Sequence, residues 1–129
     1  MKVELFYHFV LVTKYRKKVL NEQRMEFVIN DIRNLCKKFN YELLEIGGDL
    51  EDHVHFVLGL TSSHSVSSVI QIIKSFTTVN AWREYPELRK YYWYKNHLWN
   101  SNYFCQTFGK NSYEKVIQYV KEQGTNPHP

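Results

Sequence analysis

His53 and His55, separated by one residue, form the part of the sequence best suited to chemistry. Side chains alternate along a β-strand, so histidines at this spacing share one face, with Cα atoms roughly 7 Å apart. Two imidazoles so placed can bind one metal ion. Val54, Phe56 and Leu58 take the opposite alternation and direct both histidines away from the core. The spacing predicts two metal ligands, although the pair alone is also compatible with two solvated histidines.

A third ligand is expected from the end of the chain, where Tyr119 and Gln123 lie four residues apart. Residues at this spacing lie one above the other on a helix. Val116, Ile117 and Val120 form a neighbouring apolar stripe that would dock the helix and leave Tyr119 and Gln123 at its edge. Taken alone, these two residues fit a half-buried packing tyrosine and a solvated glutamine better than a catalytic pair.

The periodicity of apolar residues predicts the elements that would position these side chains. Dense β-branched and aromatic runs favour strands, and apolar residues at helical spacing favour amphipathic helices. The predicted strands span 4–13, 41–46, 53–60 and 97–108, the last with a bend near Asn100, and the predicted helices span 22–39, 66–81 and 112–123.

Boundary signals support this division. Gly47-Gly48-Asp49 is typical of a turn between the second and third strands. Ser65 is a plausible N-cap, and Asn111 with Glu114 three residues later resembles a capping box. The segment 83–94 is broken by Pro86 and shows no clear period.

Strand, helix, strand, strand, helix and strand in this order predict an α+β fold of the ferredoxin-like, split βαβ kind. Two helices would cover one face of an antiparallel sheet, and a last helix would follow. The other face would be open for a site. The length, 129 residues, predicts a single domain over 1–129.

A formal charge of +4, a pI near 9.0 and an aromatic content of 16% are compatible with a polyanionic partner. In sites for single-stranded nucleic acid, bases stack on aromatic rings and phosphates pair with basic side chains. Many of the aromatic residues can equally be buried in the hydrophobic core. The candidate stacking patch sets Trp82, Tyr91, Tyr92 and Trp93 among Arg83, Lys90 and Lys95. Candidate DNA contacts are Lys14, Arg16, Lys17, Lys18, Lys74 and Arg83.

Other features argue against competing classes of site. Cys36 and Cys105 have neither metal-ligand spacing nor a disulfide framework. The chain shows no signal peptide and no apolar run of transmembrane length, so a cytoplasmic protein without a membrane partner is expected. The remaining histidines have no partner at ligand spacing and are predicted to be ordinary: His8, His64, His97 and His128.

Four segments, in order along nearly the whole chain, carry a resemblance to a known family. They are Tyr7 to Arg16, Asp52-His53-Val54-His55, Trp99 with Tyr103-Phe104, and Tyr119-Val120-Lys121-Glu122-Gln123. Together they resemble the insertion-sequence TnpA transposases, the small single-tyrosine members of the HUH nuclease superfamily.

The resemblance implies a role for each residue. His53, His55 and Gln123 would bind Mg²⁺ or Mn²⁺, with Mn²⁺ the better match to two imidazoles. Tyr119 would be the nucleophile that cuts and rejoins single-stranded DNA at hairpin-marked element ends, through a 5′-phosphotyrosine. Family members act as homodimers, with active sites composed from both subunits.

Three alternatives remain at this stage. A non-catalytic nucleic-acid-binding module on the same fold would carry aromatic rings where His53 and His55 stand. A zinc hydrolase would need a third His, Glu or Cys at zinc-site spacing, which the sequence lacks. A domesticated relative that processes chromosomal repeats would keep the same chemistry.

Overall fold

Seven regular elements make up the described part of the chain. A computed structural model describes residues 5–122. In chain order the elements are β1 (Leu5–Val12), α1 (Glu22–Phe39), β2 (Glu42–Asp49), β3 (His53–Leu60), α2 (Val66–Glu84), β4 (Phe104–Phe108) and α3 (Tyr113–Glu122). Short 3-10 segments occupy Lys14–Arg16, Pro86–Lys90 and Lys110–Ser112.

The four strands of the described chain pair in the order β2-β3-β1-β4, and every pairing is antiparallel. This order is the split βαβ arrangement, so the predicted ferredoxin-like fold is confirmed. The extent of the domain over 1–129 stays a prediction, because residues 1–4 and 123–129 lie outside the described part.

The core lies between α1, α2 and one face of the sheet. Alternate residues of the two central strands are fully buried there, as the alternation of β3 predicts. Burying an aliphatic or phenylalanine side chain contributes about 1.5–3 kcal/mol, so this layer holds both helices on the sheet. Its members include Phe9, Leu11, Val54, Phe56 and Leu58 from the strands and Val28, Ile32, Val69, Ile70 and Ile73 from the helices.

The turn predicted at 47–49 is wrong. β2 continues through both glycines to Asp49, and the chain turns instead at Leu50 and Glu51, with φ of 55° and 62°. Gly48 lies against the side chain of Met25 on α1, so a Cβ at this position would require Met25 to shift. A glycine that accommodates packing of this kind looks like a turn residue in the sequence.

The strand predicted over 97–108 is too long. Trp99 forms an isolated bridge with Thr13, and regular pairing with β1 begins only at Phe104. Hydrogen bonds to Thr77 and Lys74 hold the intervening segment on α2. The Trp99 indole Nε1 donates to Thr77 Oγ1 at 2.8 Å, and Lys74 Nζ donates to the carbonyl oxygen of Asn100 at 2.7 Å. The predicted bend at Asn100 lies here, where helix contacts replace strand pairing.

The bounds of the helices agree with the sequence-based predictions more closely than those of the strands do. Asn21 caps α1 through its side chain, which accepts from Arg24 N at 2.9 Å. Ser65 caps α2 as predicted, and α2 continues to Glu84, three residues beyond the predicted end. Asn111 lies inside a 3-10 segment, so α3 begins at Tyr113.

A prediction concerns the contact between α2 and Trp99. Thr77→Val removes the acceptor of a buried indole N–H, and leaving such a donor unpaired costs about 1–3 kcal/mol. We expect the free energy of unfolding, measured in urea, to fall by that amount. Thr78→Val is the matched control, because Thr78 Oγ1 donates within its own helix to Lys74 O at 2.7 Å. An equal loss in both variants would contradict an anchoring role for Thr77.

Candidate active site

A cavity of about 560 Å³ opens on the sheet face opposite α1 and α2. It lies between the sheet and α3, which contacts β2 and β3. The cavity therefore brings together side chains from the two ends and the middle of the chain. The polar side chains that line it include His8, Arg16, His53, His55, Lys115 and Tyr119.

Strand register explains why the histidines meet. β1 pairs with β3 so that Val10 lies opposite His55 and Val12 opposite His53. Directly paired residues share a face, so both histidines lie over β1 on the cavity side. His8, two residues before Val10, is a diagonal neighbour of His55 on that face.

Each imidazole of the pair has its Nδ1 engaged within the chain. His53 Nδ1 pairs with Asp52 Oδ1, and His55 Nδ1 lies 3.2 Å from His8 Nε2. The rings of His53 and His55 are nearly parallel, with centroids 6.2 Å apart. Metal-binding histidines regularly donate the N–H of their second nitrogen to such a partner. This arrangement therefore points to Nε2 of both rings as the ion-binding atoms.

The donor set fits a divalent ion that takes a further ligand. Within residues 5–122, no group of three or more His, Cys, Asp or Glu is arranged to hold a metal ion. Two imidazoles alone would leave most positions of a divalent ion to water or another side chain. Gln123, the predicted third ligand, lies outside the described residues.

Tyr119 stands over the histidines. The Tyr119 ring contacts the imidazole rings of His8 and His55 in edge-to-face geometry, with centroid–centroid distances of 5.9 and 6.1 Å. The side chain is half-exposed, at 51%. The phenol is thus beside the candidate ligands and also within reach of a substrate from solvent.

α3 is docked on the sheet of its own chain by one buried residue and one aromatic cluster. Val120 is fully buried, as the apolar stripe predicts. The ring of Tyr113 packs against Phe6 and Phe108, at centroid distances of 5.2 and 6.5 Å. These contacts fix the position of Tyr119 relative to the strands of the sheet.

The turn that carries Asp52 is joined to the segment after β1, residues 13–20, which contains the basic loop over 14–18. Thr13 N donates to Asp52 O, and Leu20 N donates to Glu51 O, both at 2.9 Å. Lys18 Nζ donates to Leu50 O at 3.2 Å. The loop and the turn therefore form one hydrogen-bonded unit at the His53 end of the site.

The predicted DNA contacts separate into different places. Arg16 lines the cavity, whereas Lys14 and Lys17 belong to the same loop and are half-buried. Arg83 lies elsewhere, in a groove beside α2. Lys74 has a structural position: its ammonium donates to Asn100 O and Ser101 O, and burial, then nearby Lys14, lowers its pKa.

The predicted stacking patch is only partly exposed. Tyr92 is buried and donates its hydroxyl to Lys14 O at 2.9 Å, and Trp82 Nε1 donates to His97 O at 2.7 Å. Trp93, at 79% exposure, and its neighbour Tyr94, at 75%, present open rings. Arg83 and Trp93 line the same groove, which therefore combines a positively charged side chain with an exposed aromatic ring.

Lys115 and His8 line the cavity but were not found as site residues from the sequence. Lys115 carried no motif, because one lysine on a polar helix face looks like any solvated lysine. His8 was predicted to be ordinary, which is wrong, since it is buried beside His55 and Tyr119. Burial lowers the pKa of His8 and favours its neutral form. The alternation of side chains along β1 predicts the sheet face on which His8 lies. Only the pairing of β1 with β3 shows that His55 is its neighbour on that face.

The other histidines have local contacts away from the cavity. His64 Nδ1 accepts from Thr61 N at 3.1 Å. His97 packs edge-on against Tyr15 and Tyr92. His128 lies outside the described residues. That these histidines are ordinary stays a prediction.

Comparison with known proteins identifies the family. The sequence model described as "Transposase IS200 like" matches residues 1–123. The chain belongs to the IS200-like transposase family. It is 29% identical over 117 residues to the transposase for insertion sequence element IS200 of Salmonella typhimurium, covering 91% of this chain and 75% of that protein. It is 25% identical over 120 residues to the ISDra2 transposase TnpA of Deinococcus radiodurans, covering 93% and 84%.

Solved structures of other transposases share the fold. A putative transposase from Deinococcus radiodurans R1 superposes with a TM-score of 0.75 at 25% identity, covering 95% of this chain and 93% of that one. A REP-associated tyrosine transposase bound to a REP hairpin gives a TM-score of 0.65 at 15% identity, covering 94% and 67%. The second likeness concerns the fold alone.

This IS200-like transposase shows no helix, among the residues described, that is long and apolar enough to cross a membrane.

A prediction follows from the docking of α3. Tyr113→Ala removes two ring contacts, and aromatic pairs contribute about 0.5–1.5 kcal/mol each beyond area burial. Hydrogen–deuterium exchange of the free protein should speed up across residues 113–122 by roughly tenfold, with β1 and β3 unchanged. Tyr94→Ala is the control, because Tyr94 is exposed and contacts the ring of Trp93. Unchanged exchange in α3 of the Tyr113 variant would show that the cluster does not hold the helix.

Proposed function

We propose that this IS200-like transposase cuts and rejoins single-stranded DNA with Tyr119 as the nucleophile, at a divalent ion held by His53, His55 and Gln123. The observation that carries the proposal is the meeting of the Tyr119 ring with the imidazole of His55, in a cavity that also contains His53. A nucleophile beside a pair of oriented metal ligands suits phosphodiester transfer, because it positions the attacking oxygen next to an ion that can stabilise charge on the phosphate.

The proposed reaction proceeds in two balanced steps. The Tyr119 hydroxyl oxygen attacks the phosphorus and loses its proton to water, which reaches the half-exposed side chain. The bond to the 3′ oxygen breaks, a DNA 3′-hydroxyl leaves, and the 5′-phosphate stays on Tyr119. A different 3′-hydroxyl then attacks the phosphotyrosine, which rejoins DNA and restores the phenol.

The bound ion would stabilise the negative charge that builds on the non-bridging oxygens and orient the phosphate. Two imidazole donors make Mn²⁺ a better match than Mg²⁺. The chain contributes the orientation of both rings, because Asp52 and His8 contact their Nδ1 atoms. It also contributes two cations, since Arg16 and Lys115 line the same cavity and can pair with phosphate oxygens.

The DNA substrate is proposed to carry a hairpin. The related structure bound to a REP hairpin supports this class of substrate, as does the basic character of the chain. The groove with Arg83, Arg89 and Trp93 combines cations with an open ring, and so could hold a DNA strand away from the cleavage site. A cytoplasmic setting, where chromosomal DNA is found, remains part of the proposal.

A domesticated relative that processes chromosomal repeats is the second candidate function. It is suggested by the REP-associated tyrosine transposase, which shares this fold and was solved bound to a REP hairpin. Both candidates share the site and differ in the hairpin that is cut. Parallel cleavage assays on element-end hairpins and on chromosomal repeat hairpins would separate them.

The central prediction concerns Tyr119. Tyr119→Phe removes the attacking oxygen and little packing area, so covalent attachment to DNA should fall below detection while hairpin affinity is retained. The measurement is denaturing electrophoresis of protein incubated with labelled single-stranded hairpin DNA and Mn²⁺. Tyr94→Phe, which removes a hydroxyl from an exposed tyrosine remote from the cavity, should still form the covalent band. Cleavage by the Tyr119 variant would identify a different nucleophile.

A further prediction concerns the proposed homodimer. In the described chain α3 packs on its own sheet, and Tyr119 meets His55 of the same chain. If each site lies within one chain, mixed dimers of Tyr119→Phe with His53→Ala/His55→Ala chains should stay inactive, because neither chain has a complete site. The measurement is cleavage after heterodimers have been shown to form. Recovery of cleavage would instead show sites composed from both subunits, as the family resemblance implies.

A further inference from the structure

A pair of buried histidines lies beneath Tyr119. His8 Nε2 and His55 Nδ1 are 3.2 Å apart, and the rings stack with centroids 5.4 Å apart. The two residues keep only 7% and 6% of their surface exposed. A hydrogen bond in so enclosed a place is not readily replaced by one to water.

Such a bond has two arrangements of its proton. A neutral imidazole carries one N–H and one lone pair, so one ring must donate and the other accept. If His55 donates from Nδ1, its Nε2 keeps a lone pair and can bind a metal ion. If His8 donates from Nε2, the proton of neutral His55 is on Nε2 and that atom cannot bind metal.

We propose that His8 is a positioning residue, whose Nε2 accepts from Nδ1–H of His55 and thereby holds His55 in the tautomer that binds the divalent ion. The proposal rests on the proposed function, because it assigns His55 as a ligand. His8 itself does not touch the ion or the DNA in this account. It acts through the ring that it orients.

The comparison of the two candidate ligands supports this role. His53 has the carboxylate of Asp52 at its Nδ1, a regular partner of a metal-binding histidine. His55 has an uncharged partner instead. His8 can orient the ring without placing a second negative charge beside a phosphate, which a carboxylate there would repel.

The packing around His8 fixes the direction of its Nε2. Its ring is met edge-on by Phe104 and by Tyr119, at centroid distances of 5.7 and 5.9 Å, and stacks on His55. Rings on three sides leave few rotamers open. The acceptor is therefore held in place before an ion binds.

Two variants separate the hydrogen bond from packing. His8→Phe keeps a ring and removes the acceptor, whereas His8→Gln keeps a side-chain acceptor at similar reach. The first measurement is Mn²⁺ affinity by electron paramagnetic resonance on the full chain. Loss of an outer-shell partner weakens binding by roughly 10–100-fold, which we expect for His8→Phe and not for His8→Gln.

The second measurement is ¹⁵N NMR of the imidazole nitrogens in the metal-free protein. Wild-type His55 should show its proton on Nδ1, and His8→Phe should shift it towards Nε2. His97→Phe is the control for replacing a histidine by phenylalanine, since His97 packs against Tyr15 and Tyr92 outside the cavity. It should change neither the Mn²⁺ affinity nor the His55 signals.

The outcomes are distinct. A wild-type His55 that carries its proton on Nε2 overturns the proposal, even if His8→Phe fails to fold. Wild-type Mn²⁺ affinity in a folded His8→Phe protein also overturns it, and Tyr119-dependent cleavage in that variant would leave the proposed function standing. Absence of Mn²⁺ binding by the wild-type protein would instead remove the metal site, and this proposal with it.

Discussion

The pairing of β1 with β3 is the constraint on which the site depends. It sets Val10 opposite His55 and Val12 opposite His53, so the apolar halves of both strands face α1 and α2 while the histidines face α3. A slip of one residue in either strand would turn its apolar set to solvent and its polar set into the core. The same burial that stabilises the fold thus holds the candidate ligands in register, and the site needs no separate device to align the strands.

Prediction from the sequence succeeded where the signal was local. The alternation in β3 gave the face of His53 and His55, and helical spacing gave the docking side of α3 through Val120. It failed where the signal depended on a distant partner. Gly48 looked like part of a turn because its reason, the approach of Met25 from α1, is not visible in its own neighbourhood. His8 was overlooked for the same kind of reason, since its ring becomes significant only after two strands 47 residues apart are paired.

The third-ligand role of Gln123 and the nucleophile role of Tyr119 remain predictions, although the structure places the ring of Tyr119 beside His55.

The comparisons separate the fold from the chemistry. A transposase at 15% identity keeps the topology, which shows that many sequences can satisfy the core between the sheet and two helices. Function belongs to the side chains on the opposite face, which the core does not dictate. In this chain those side chains come from β1, β3 and α3, with Arg16 from the loop after β1. A family assignment over residues 1–123 therefore carries the class of protein, and the contacts in the cavity give the individual roles to be tested.

The junction between the basic loop and the turn before His53 has a mechanical consequence. Leu50 and Glu51 both have left-handed backbone, which costs residues with a side chain roughly 1–2 kcal/mol each, so the turn would relax if it were not tied down. Three hydrogen bonds from Thr13, Lys18 and Leu20 provide the tie. The loop that carries Arg16 is therefore coupled by hydrogen bonds to the backbone of the turn that ends at Asp52, next to His53. The loop that could bind a phosphate through Arg16 and the turn that positions His53 share these hydrogen bonds, so restricting the motion of one restricts the motion of the other.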